Sequence, residues 1–96
     1  MSPLKKKKLN LIREKLDKLD NSLIKIVKKR TYLVKKVLEL KEYKKEIIDK
    51  KRIKKILRNI KIKSIQNTID PKITKRIWFN MIYAYIDFER RNFKKK

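Results

Sequence analysis

A seam of apolar residues through the first forty positions constrains this chain more than anything else. Leu9, Ile12, Leu16, Leu19, Leu23 and Ile26 follow one another at alternating steps of three and four, and Leu33, Val37 and Leu40 continue the series. Arg30 fills the one place where the next apolar residue should stand. A heptad pattern kept up this long predicts a single helix from about Lys5 to about Glu42, roughly 55 Å long at ~1.5 Å per residue. The chain has no Gly, and its two Pro stand at positions 3 and 71, so no strong breaker interrupts the seam.

The stretch "EYKKEI" (42–47) breaks the period and reads as a short connection. Asp49 is a plausible cap for a second helix carrying Ile53, Ile56, Leu57 and Ile60 at helical spacing. "KSIQNTIDP" (63–71) reads as a polar loop that ends with Asp70 capping a third helix and Pro71 in its first turn. That helix turns Ile73, Ile77, Met81, Tyr85 and Phe88 toward its neighbours. The expectation is an all-α fold, three helices in one domain over residues 1–96, with the basic ends 1–8 and 92–96 fraying. Helices two and three are too short to cover the first. The simplest remedy is a second copy whose long helix lies against this one, an intertwined homodimer. A solitary coiled coil is the plainer alternative, but it leaves two amphipathic helices with nothing to pack on.

Composition narrows the chemistry. With no Cys and no His, thiolate metal sites, Cys nucleophiles and the usual neutral-pH base are absent. No Gly-rich loop can cradle a phosphate. No apolar run approaches the roughly 20 residues of a membrane span, and the basic start lacks a signal-peptide core, so a cytoplasmic protein is the default. The formal net charge of +22 invites a nucleic-acid reading. Much of it also fits the codon bias of an AT-rich genome. Only seven of the 32 cationic residues are Arg, so each Arg is a candidate for planar, bidentate binding that Lys cannot supply.

Several polar residues fall on inward positions. Arg30 and Lys41, eleven apart, share a face of helix one. Arg13 stands about 100° around the helix from Arg30, within reach only from an antiparallel partner helix. Asp49 and Arg52 share the first turn of helix two, and Tyr85 and Glu89 a face of helix three. Each has a plainer reading. Arg30 can snorkel outward, Lys41 can be ordinary surface, Asp49 only a cap, Tyr85 plain core, and Glu89 a surface partner of Arg90 or of Lys. Taken together, inward cations without enough inward carboxylates call for an anionic ligand, because an unpaired buried cation is very costly.

In this order along three helices, the residues resemble the all-helical chorismate mutases. "IREKLDKLD" (12–20) with Arg13, "LIKIVKKR" (23–30) with Arg30, "LELK" (38–41) with Lys41, "IIDKKR" (47–52) with Asp49 and Arg52, and "DPKITKRIWFNMI" (70–82) keep the family's spacing over about residues 9 to 91. The resemblance implies a dimer of three-helix chains with two active sites, each completed by an Arg from the partner's long helix. It implies an enzyme of aromatic amino acid biosynthesis, in the shikimate pathway, that rearranges chorismate to prephenate. Carried over by position, Arg13 (from the partner) and Arg30 bind the substrate's carboxylates. Lys41 donates to the ether oxygen, Asp49 and Arg52 line the pocket, and Tyr85 and Glu89 close it. Lys41, Glu89 and Arg30 are the expected catalytic groups. No nucleophile, metal or cofactor is needed, which suits a chain without Cys or His.

Three positions depart from the commonest bacterial pattern. Ile53 stands where that pattern has the Glu that holds the ring hydroxyl, Tyr85 where it has a small hydroxyl residue, and Glu89 where it has Gln. A carboxyl group at 89 helps the ether oxygen only while protonated and donating, so activity is expected to rise toward mildly acidic pH. The rivals are a degenerate mutase with weak activity, a bare oligomerisation module, and a helical nucleic-acid-binding dimer. The last would use Lys5 to Lys8, Lys28, Lys29, Lys35, Lys36 and the tail "FKKK" (93–96). It is disfavoured because lysines lie all round the helices without an aromatic stacking platform, so the expected partners exclude specific nucleic acid and membrane.

Overall fold

The computed structural model describes residues 1–95; Lys96, the last residue of the basic tail, lies outside them. The described chain is all-α. Helix α1 runs Pro3–Leu40, α2 Lys50–Gln66 and α3 Pro71–Asn92, with one 3₁₀ turn at Lys44–Glu46 between α1 and α2. No helix among the described residues is long and apolar enough to cross a membrane.

The helix starts follow from local chemistry. Ser2 accepts a hydrogen bond from the Lys5 N–H at 3.3 Å, and Pro3 occupies the first helical position, so α1 begins two residues before the expected Lys5. It ends at Leu40, not Glu42, because the Glu46 carboxylate takes the N–H groups of Glu42 (2.8 Å) and Tyr43 (3.4 Å) for the connection. Asp49 caps α2 by accepting from the Arg52 N–H, and Asp70 caps α3 by accepting from the Lys72 N–H, with Pro71 in the first turn.

One boundary differs substantially. The stretch read as a loop from Lys63 is helical through Gln66. Its polar side chains bond back to their own helix, Ser64 Oγ to the Ile60 carbonyl and Asn67 Nδ2 to the Lys63 carbonyl, so polar composition there does not break the ladder.

Two compact units divide the chain after Leu33. Residues 1–33 are helix from Pro3 onward, and none of their side chains is buried; Leu9, Arg30 and Thr31 are partly covered. From Val34 on, a core forms around Leu38, Ile47, Ile82 and Ile86, with Ile48, Ile53, Ile56, Leu57 and Phe93 packed against it. The inward face of α3 matches the one read from the sequence only in part. Met81, Tyr85 and Phe88 are partly buried, but Ile73 and Ile77 are exposed, and the buried residues are Thr74, Ile82, Ile86 and Glu89. Thr74 helps to set this rotation, because its hydroxyl meets that of Ser64 at 2.6 Å in the α2–α3 interface. A buried hydroxyl needs a partner, and each supplies the other's.

Candidate active site

Lys41 is the first residue beyond α1. Its N–H still donates to the Leu38 carbonyl at 3.1 Å, so the end of the helix sets where its side chain departs. Glu89 lies on α3 at the same helical spacing as Ile82 and Ile86, which carries its carboxylate into the interior. The two meet: Lys41 Nζ stands 3.0 Å from Glu89 Oε1, and their side chains are 18% and 7% exposed. A carboxylate that deep would be very costly alone, and the ammonium makes it tolerable. The pair concentrates one positive and one negative charge at one spot, where each is only weakly screened by water.

Asp49 and Arg52 stand together at the start of α2, but through the main chain. The Asp49 carboxylate accepts from the Arg52 N–H at 3.0 Å, and both residues are exposed. Tyr85 is partly buried on α3, edge-on to Phe88 with ring centroids 6.4 Å apart. Ile53, at the position where the resemblance puts a carboxylate, is partly buried and packs against the hydrocarbon core. On the N-terminal unit, Arg13 is exposed and Arg30 partly buried.

Two contributors were not legible in the sequence. Glu46 folds the connection after Lys41 by taking two backbone N–H groups, a role only the chain path discloses. Lys95 Nζ reaches the carbonyls of Glu39 at 2.5 Å and Lys41 at 2.9 Å, across a separation in sequence that no local pattern signals.

A family model described as chorismate mutase type II matches residues 12–90, from Ile12 in the seam to Arg90 in the last turn of α3. No curated protein and no solved structure matches the chain. The match takes in Arg13, Arg30, Lys41, Asp49, Arg52, Tyr85 and Glu89 and covers most of the three helices. The chain therefore belongs to the chorismate mutase type II family, isomerases that convert chorismate to prephenate.

Proposed function

We propose that two copies of this chain form a homodimer that rearranges chorismate to prephenate in cationic pockets, each completed by Arg13 of the partner subunit. The observation that carries the reading is the Lys41–Glu89 pair, a part-buried ammonium–carboxylate contact at 3.0 Å inside a chain of this family.

The rearrangement is intramolecular: one C–O bond breaks as one C–C bond forms, with no external nucleophile. Two tasks fall to the protein. The first is to hold a flexible dianion in the compact conformer that brings its two carbon ends together. Arg30 and Arg13 of the partner subunit clamp the two carboxylates for this purpose, because a guanidinium binds a carboxylate through two parallel N–H bonds and so fixes direction as well as distance. The second is to stabilise the negative charge that grows on the ether oxygen as its C–O bond lengthens. Lys41 meets that charge with an ammonium held in place beforehand. Glu89 orients Lys41 and, when protonated, donates to the same oxygen. Asp49 and Arg52 line the pocket where α2 begins, and Tyr85 closes it from α3.

A slow enzyme is the second reading, and Ile53 favours it. A side chain packed on hydrocarbon offers the substrate's ring hydroxyl no acceptor, and an unmade hydrogen bond of this kind costs about 0.5–1.5 kcal/mol of binding.

Loss of chorismate followed by ultraviolet absorbance tests the proposal. The wild-type protein should turn over chorismate. Arg30→Ala should lower kcat/KM by at least about 10²-fold while sedimentation and circular dichroism still report a folded dimer. A wild-type protein without turnover defeats the reading, and an Arg30→Ala chain that unfolds assigns the guanidinium to the fold instead.

A further inference from the structure

The end of α1 lacks the usual means of satisfying its last carbonyls. Its final turn contains no basic residue, and the chain has no glycine for a left-handed cap. Among the described non-glycine residues only Thr68, after α2, has a positive φ, so α1 does not close in that manner. Two carbonyls at this end receive an ammonium from the far end of the chain. Lys95 Nζ bridges the Glu39 carbonyl (2.5 Å) and the Lys41 carbonyl (2.9 Å). A cation at a helix C-terminus also lies at the negative end of the helix dipole.

The route of the chain makes this contact possible. Helix α3 stops at Asn92, and Phe93 takes an extended conformation (φ −74°, ψ 119°) that ends the helical path. The Phe93 ring packs against the core cluster of Leu38, Ile47, Ile82 and Ile86, which anchors the tail two residues before Lys95. Lys41 is thus gripped three times. Its N–H is held by Leu38, its carbonyl by Lys95 and its ammonium by Glu89. The last two grips come from one short segment, Glu89 to Lys95.

We propose that Lys95 is a positioning residue for the rearrangement: by fixing the main chain of Lys41, it sets where the Lys41 ammonium meets the ether oxygen. This rests on the role given to Lys41 above. The side chain of Lys41 is long and flexible, and Glu89 alone restrains only its tip. With the Lys41 carbonyl released to water, the same ion pair can form from several backbone positions, and the ammonium loses its fixed relation to the substrate. Displacement by about 1 Å at a reacting centre can cost as much as about 10²-fold in rate. Because the ammonium acts on charge present only in the transition state, the loss falls on kcat rather than KM.

The test compares Lys95→Met, Lys95→Arg and the control Lys94→Met in the full chain, with two readouts. Chorismate turnover should show kcat down about 5- to 20-fold in Lys95→Met with KM changed less than about 2-fold. Lys95→Arg, which still donates to carbonyls, and Lys94→Met should stay within about 2-fold of wild type. Hydrogen exchange at the Lys41 amide should quicken about 10-fold in Lys95→Met alone. The proposal is overturned if Lys95→Met keeps wild-type kcat, if Lys95→Arg fails to rescue it, or if the Lys41 amide exchanges at the wild-type rate. A wild-type protein with no turnover refutes the mutase reading instead, and the Lys41 amide then decides by itself whether Lys95 anchors that backbone.

Discussion

In the proposed mechanism, Glu89 serves two ends that pull against each other. Its carboxylate is buried and 3.0 Å from the Lys41 ammonium, which it holds in place. Once substrate occupies the pocket, the same negative charge opposes the charge growing on the ether oxygen. Glu89→Gln separates the two effects. The amide can donate to the ether oxygen at any pH, so kcat at neutral pH should rise by about 3- to 10-fold. The variant also leaves a largely buried ammonium without its counter-charge, at a cost of about 1–3 kcal/mol. Activity and thermal midpoint should therefore move in opposite directions, as absorbance assays and thermal melts would read them. A variant that loses both would make Glu89 a structural partner of Lys41 and no more. The sequence showed that Tyr85 and Glu89 share a face of the third helix and that Lys41 shares a face of the first with Arg30. It could not show that Lys41 and Glu89 touch, because 48 residues separate them and their meeting depends on how α3 is rotated. Asp49 shows the opposite limit. Its capping bond to the Arg52 N–H is local, so the cap could be read from sequence, whereas any contact with substrate could not.

At the scale of the element, the end of α2 shows what a chain without glycine must do. The Ile69 N–H donates to the Ser64 carbonyl at 2.8 Å and the Thr68 N–H to the Ile65 carbonyl at 3.2 Å, the bond pattern of a Schellman cap. The motif requires a left-handed residue at Thr68, which has φ 57°. A β-branched side chain in that region is strained by about 1–3 kcal/mol. Thr68→Gly removes the strain, and part of the gain is lost to the greater freedom of glycine in the unfolded chain. The net should be a stabilisation of about 0.5–1.5 kcal/mol, seen as a higher midpoint in thermal or urea unfolding with no change in kcat. A lower midpoint would mean that the Thr68 side chain makes contacts worth more than the strain. This turn also marks where reading by pattern stopped working. "KSIQNTIDP" looks like a loop because it is polar, yet Ser64 is buried and its hydroxyl faces Thr74. Periodicity weighs apolar residues, so it chose Ile73 and Ile77 for the inner face of α3 and passed over the hydroxyl pair that helps to orient it.

At the scale of the whole molecule, the long seam asks for a second copy. Leu16, Leu19, Leu23, Ile26, Leu33 and Val37 are between 49% and 65% exposed in a single chain. Each such side chain contributes about 1.5–3 kcal/mol when fully buried, so a partner helix laid along this stripe would supply far more stability than the four-residue core. The proposed dimer would do more than cover hydrocarbon, because in it each active site would draw Arg30 from one chain and Arg13 from the other. Subunit mixing tests this directly. Arg13→Ala and Arg30→Ala homodimers should each be inactive. Unfolded together and refolded, they should form mixed dimers in about half of the population. In a mixed dimer, the Arg13→Ala chain keeps its own Arg30 and receives Arg13 of the partner subunit, so one site is whole. The other site lacks both guanidinium groups. About a quarter of wild-type activity should return, with the KM of the wild type, since every site that turns over substrate carries both arginines. If each chain carried both arginines of its own site, no combination of the two variants would restore anything. Recovery on mixing, set against its absence in either variant alone, separates a shared pocket from two independent ones.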